Sequence, residues 1–156
     1  MNEYMEIANR LAGDNLIDND GGPFGACIVK DGKVIGKGDN KVLVNHDPTA
    51  HAEVMAIRDA CKNLNTHDLK GCIIYTTTYP CPMCLSAIIW ANIDKVYYGN
   101  TSSDAEAIGF RDQYIYDIIS DLKDGKDSSL DLKCINREET IKVFNEYIEK
   151  MDKTIY

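Results

Sequence analysis

The chain has 156 residues, 44% apolar and 27% charged, an ordinary globular composition that excludes the disordered and fibrous classes and fits a single domain. Its net charge of −8 argues against broad contact with nucleic-acid phosphates, which needs clustered Lys and Arg. The first residues carry no basic and apolar leader, and no run of about 18 apolar residues occurs, so a cytoplasmic protein with neither membrane nor nucleic-acid partners is expected.

Tyr4, Ile7, Ala8, Leu11 and Ala12 recur at helical spacing, so a first amphipathic helix is predicted to end near the polar, glycine-containing cluster Asp18 to Gly22. Ala26 to Lys30 and Lys33 to Gly38 are predicted strands, joined by Asp31-Gly32, the residue pair favoured in two-residue hairpins. A helix is predicted from about Ala50 to Leu64, capped by Asp47 or Thr49, with Pro48 near its first turn. Cys72 to Thr77 reads as a strand, and Pro80 and Pro82 open a helix to about Ala91. Lys95 to Tyr98 is predicted as a fourth strand, Gln113 to Leu122 as a helix and Leu130 to Ile135 as a fifth strand. Asn136 and Glu139 resemble a capping box before a last helix striped by Ile141, Phe144, Tyr147, Ile148 and Met151. The expected fold is α/β, a mixed sheet between helices, with parallel pairing at the strand-helix-strand connections.

The chemistry concentrates in His51-Ala52-Glu53 and Pro80-Cys81-Pro82-Met83-Cys84, a pairing that matches the signature of zinc deaminases. Cys81 and Cys84 are three residues apart at a helix start, where both sulfurs can face one point and the free N–H groups favour the thiolate. Two thiolates and one imidazole cancel the charge of Zn2+ and leave a fourth tetrahedral position for a catalytic water. Glu53, two residues from His51, is placed to move protons rather than to bind metal. A closed structural zinc site would need a fourth protein ligand and no Glu53. Cys27, Cys61, Cys72 and Cys134 lie singly in apolar segments and are expected to be small buried hydrophobes.

With these residues in place the chain resembles the cytidine-deaminase-like superfamily, and within it the bacterial guanine deaminases. The resemblance spans nearly the full length, through GGPFGACIVKDG at Gly21 to Gly32, NHDPTAHAEVMAIR at Asn45 to Arg58, PCPMCLSAIIWA at Pro80 to Ala91 and IGFRDQYIY at Ile108 to Tyr116. It implies a three-layer α/β/α domain with a five-stranded mixed sheet, one zinc per chain, and hydrolysis of a purine base, guanine, to xanthine and ammonia. It also implies that Asn40 hydrogen-bonds the base, that Phe24 packs against it, and that Asp112 accepts purine N–H groups. Trp90 is expected first in the core and second as a pocket wall. A homodimer is implied in which the C-terminal segment, about 136 to 156, is exchanged and Tyr156 covers the partner's site. Two positions depart from the family pattern: Tyr79 stands where Glu commonly precedes the Pro-Cys pair, and Arg111 where a second acid is common. A nucleoside or cytosine deaminase, a tRNA adenosine deaminase and a non-catalytic zinc-stabilised module are the alternatives to separate.

Overall fold

The computed structural model describes residues 2–156 and divides into two compact units, Met1–Ile115 and Tyr116–Tyr156. Eleven elements run in the order α1 (Glu3–Asp18), β1 (Gly25–Lys30), β2 (Lys33–Asp39), α2 (Val42–Asn45), α3 (Ala52–Leu64), β3 (Ile73–Thr78), α4 (Pro82–Trp90), β4 (Lys95–Asn100), α5 (Ser102–Ala107), α6 (Asp112–Lys123) and α7 (Arg137–Glu149). The sheet has strand order β2-β1-β3-β4. β1 pairs antiparallel with both β2 and β3, whereas β3 and β4 are parallel, as the intervening α4 requires. At the β1-β2 turn, Asp31 and Gly32 both have positive φ, 49° and 75°, the backbone that a tight two-residue hairpin demands.

Alternate residues of the central strands feed two apolar clusters. Ala26, Ile28 and Ile74 pack with Ala52, Ala56 and Ala60 of α3 and Ile88 of α4. Cys27, Val29 and Tyr75 pack instead with Tyr4, Met5 and Ile7 of α1. The seat of α3 on β2 is unusually close because small residues line both sides. A Cβ on Gly36 would lie 2.6 Å from the Ala56 carbonyl oxygen, and one on Gly38 would lie 2.8 Å from the Met55 Cβ. Glycine there fixes where the first turn of α3 falls against the end of β2.

Several expectations need correction. His51, not Asp47 or Thr49, is the N-cap residue of α3; Asp47 Oδ1 instead accepts from the Thr49 N–H and hydroxyl and shapes the turn before it. Asn136 precedes α7 in a left-handed conformation without a side-chain cap, so no capping box forms there. A capping box does form at Thr101 and Asp104, at the head of α5. Leu130–Ile135 is neither helix nor strand, and the sheet of the described residues has four strands. Leu130, Leu132 and Ile135 are all exposed, so their weak alternation has no apolar face to bury and no strand to pair with. Cys134 is accordingly exposed and Cys61 half-buried, whereas Cys27 and Cys72 are buried as expected.

Within the second unit, Tyr147 Oη donates to the Thr154 carbonyl at 2.9 Å, folding the end of the chain back toward α7. Val143, Phe144 and Ile148 of α7 are exposed.

Candidate active site

Two helix starts and the ends of two strands build the site. His51 and Cys81 occupy the N-cap positions of α3 and α4 with extended backbone, so their side chains project from the helix ends. Pro82 follows Cys81 at the first helical position, where its missing N–H is harmless. Cys84 lies one turn on and is fully buried. These elements bring the His51 Nδ1 to 3.6 Å from the sulfur of Cys81 and 3.6 Å from that of Cys84. The three ligand atoms lie within 4.8 Å of one another.

That geometry fits zinc. A tetrahedral centre with metal–nitrogen and metal–sulfur bonds of about 2.0 and 2.3 Å separates nitrogen from sulfur by about 3.6 Å. The electrostatics agree. The hydrogen bond from Cys84, aided by His51, brings the Cys81 thiol down to about 4, while the bond to Cys81 and burial push Cys84 far up. One thiol is thus drawn toward its thiolate form while the other resists it, and a cation between them would favour the thiolate at both. His51 is raised, chiefly by its bond to Cys81, and the same cation would hold it neutral through Nδ1.

Glu53 sits in the first turn of α3, is 6% exposed, and accepts a hydrogen bond from the Thr76 hydroxyl at 3.1 Å. Burial, more than any other cause, raises its carboxyl above the ordinary range, so it is poised to hold a proton. Only three His or Cys side chains converge on the centre among the described residues, which leaves one tetrahedral position open.

A pocket lies over this centre, lined by Phe24, Asn40, His51, Glu53, Thr78, Tyr79, Cys81, Phe110 and Asp112. It unites seven residues discussed from the sequence with two, Thr78 and Phe110, that were given no role there. The Phe110 ring meets Phe24 edge-on at 4.7 Å, making one aromatic wall from two distant segments. Asn40 is buried, and its Oδ1 accepts from the Val42 N–H, so its amide N–H groups remain for a ligand. The Asp112 carboxyl is raised, first by burial and then by the charge of Cys81, with His51 acting in the opposite sense. Tyr79 lines the pocket and meets Tyr98 edge-on, whereas the Arg111 guanidinium lies over the Tyr114 ring.

Trp90 departs from both roles expected for it. It is 68% exposed at the end of α4 and is absent from the pocket lining. Six residues beyond Cys84 the helix has turned by about 240°, carrying the indole away from the buried face. Tyr156 belongs to the second unit and is exposed.

Replacing Cys81 or Cys84 by Ala is expected to lower bound zinc from about one per chain to near zero and to abolish activity. Elemental analysis of the purified variants checks this, and a fully loaded variant would remove that cysteine from the ligand set.

Known proteins agree with the geometry. The family model of the cytidine and deoxycytidylate deaminase zinc-binding region matches residues 1–100. Guanine deaminase of Bacillus subtilis is 50% identical over 113 residues, 72% of each chain. The crystal structure of guanine deaminase from Bacillus subtilis superposes with a TM-score of 0.92 at 40% identity, covering 100% of this chain and 99% of that one. A tRNA-specific adenosine deaminase of Aquifex aeolicus is 50% identical over 76 residues, 49% of this chain and 50% of its own. With its His and two Cys side chains gathered at zinc-binding distances beneath a closed-in pocket, this chain belongs to the zinc-dependent deaminases of the cytidine and deoxycytidylate deaminase family.

Proposed function

We propose that the chain hydrolyses guanine to xanthine and ammonia. The observation that carries this reading is the meeting, in one pocket, of the three-ligand centre and buried Glu53 with Asp112, Asn40 and an aromatic wall suited to a flat base. The full-length likeness to a guanine deaminase structure favours a free purine among the substrates the family chemistry allows.

His51, Cys81 and Cys84 would hold the zinc, which would supply Lewis acidity that brings a water's acidity into the neutral range. Glu53 accepts one proton from the attacking water as its oxygen adds to C2 of the base and passes that proton to the ring nitrogen; it then carries the second proton, from the added hydroxyl, to the amine, so that the carbonyl forms, the C–N bond breaks and neutral ammonia leaves. Its raised carboxyl suits both directions of transfer. Asp112 receives purine N–H groups, which offset the desolvation that otherwise disfavours its charged form. Asn40 offers its amide N–H groups to an acceptor on the base, and Phe24 with Phe110 packs against the ring. Cytosine lacks the matching edge and would leave the half-buried Asp112 carboxylate unpaired.

The same reading takes α1 on one side of the sheet and α3 with α4 on the other as the outer layers of a three-layer domain, supported by the two separate core clusters. It takes the cytoplasm as the setting, since metal-ligating thiols persist where thiols stay reduced. It also takes the working form as a homodimer that exchanges segments of about 136 to 156, with Tyr156 closing the partner's pocket. The exposed Phe144, Ile148, Ile155 and Tyr156 side chains support a partner for that segment.

Ammonia release from a panel of bases, nucleosides and tRNA tests the substrate. Guanine is expected to be fastest, with Asp112→Asn lowering kcat/KM by about tenfold or more. Faster turnover of cytosine, guanosine or tRNA adenosine would replace the reading by the corresponding alternative. Glu53→Gln is expected to keep its zinc and its circular dichroism while turnover drops by at least about a hundredfold; loss of metal instead would make Glu53 a ligand. Deleting Lys153 to Tyr156 is expected to spare zinc content while reducing guanine turnover by a factor of about 5 or more, as loss of a lid does. A fully active truncated monomer would dismiss the exchanged lid.

A further inference from the structure

The pocket has two halves of different construction. The ligands and Glu53 come from α3 and α4, which are anchored in the core. Phe24 and Asn40 come from the segments that precede β1 and follow β2. Three sets of bonds join these segments. Asn40 donates its backbone N–H to the Phe24 carbonyl at 3.1 Å, and Leu43 and Val44 donate theirs to the Asp20 carbonyl. Lys41 pairs with Asp20 and Asp39, but each side chain there is between 18% and 27% exposed, where solvent weakens the attraction.

The third set comes from a buried side chain. Asn15, on α1, donates both N–H groups of its amide, one to the Gly22 carbonyl and one to the Asn40 carbonyl, each at 2.9 Å. Its Oδ1 has no hydrogen-bond partner. Turning the amide over would set that oxygen against two carbonyl oxygens, so the two acceptors fix the orientation and the unpaired oxygen is its consequence. A helix interior tolerates Asn poorly, and this one stands on the buried stripe after Ala8 and Ala12. Immediately above it, a Cβ on Gly22 would lie 2.7 Å from Phe110 and 2.8 Å from Phe24. The peptide that Asn15 grips is therefore the one against which both aromatic rings close.

We infer that Asn15 is a positioning residue, a buried clamp that holds the base-binding half of the pocket in register with the metal half. The inference deepens the substrate reading above and rests on Phe24 and Asn40 being base contacts. Asn15 lines neither the pocket nor the metal-ligand cluster. Its removal therefore loosens the grip on the base while leaving the metal centre and Glu53 in place.

The test compares Asn15→Asp and Asn15→Ser with Val29→Ala, a control that weakens the core facing α1 without a side-chain bond to either segment. In both Asn15 variants, amide exchange in peptides covering 20–25 and 39–45 is expected to quicken by about fivefold or more, with the rest of the chain unchanged. Zinc content is expected to stay at the wild-type level, while KM for guanine rises about tenfold and kcat moves by less than about threefold. The control is expected to lower Tm with neither change. Unaltered exchange in the two segments overturns the clamp, as does an equal rise of KM in the control. A wild-type protein that releases no ammonia from guanine defeats the substrate reading instead, and the exchange measurement still decides the role of Asn15.

Discussion

Everything at the site depends on how closely α3 can approach β2. Ala52, Ala56 and Ala60 repeat every four residues along the helix, and Gly36 and Gly38 repeat every two along the strand, so two smooth surfaces meet with backbone near backbone. Packing of this kind admits one axial position. A helix free to slide by one residue would move its start by about 1.5 Å, enough to spoil metal coordination. The register set in the core is thus transmitted to His51 and Glu53, which lie at the end of the helix rather than in a flexible loop.

The second constraint is charge. Two thiols, an imidazole and a carboxylate are brought together in a place where burial resists ionising them. The Cys81 thiol is drawn down and the Cys84 thiol pushed up, and a cation between them would favour two thiolates which, with a neutral imidazole, make a suitable ligand set. Glu53 remains just outside that set, tethered by Thr76 of β3. The deep burial that makes its charged form expensive also suits it to carry a proton in both directions.

The metal centre and the rest of the pocket have separate structural supports in this chain. The metal ligands and Glu53 are carried by core-anchored helices, and Phe24 and Asn40 by the connections to which Asn15 of α1 donates its hydrogen bonds. Such a division allows one reaction to serve different substrates, because the connections can change without disturbing the centre. Phe110 illustrates it: its ring comes from the segment before α6 and completes a wall begun by Phe24.

The hairpin, the main helices and the metal centre were legible in the sequence because each rests on local chemistry. Asp31-Gly32 accepts positive φ, proline opens α4, and the spacing of Cys81 and Cys84 places two sulfurs on one helical turn. The fifth strand expected at Leu130 to Ile135 does not form, since alternation has meaning only if a neighbouring edge receives it, and none does among the described residues. Trp90 had the composition of a wall residue, but the turn of α4 carries its ring outward. The short helices α2 and α5 fall below the length at which periodicity can be read, although Thr101 and Asp104 offered a capping signal for the second. Asn15 left one trace, a polar residue on an otherwise buried stripe, yet its two acceptors lie 7 and 25 residues away. Local spacing therefore determined which groups could do chemistry; which groups share a pocket was decided by non-local packing, because distances between segments far apart in sequence are set only when the core closes.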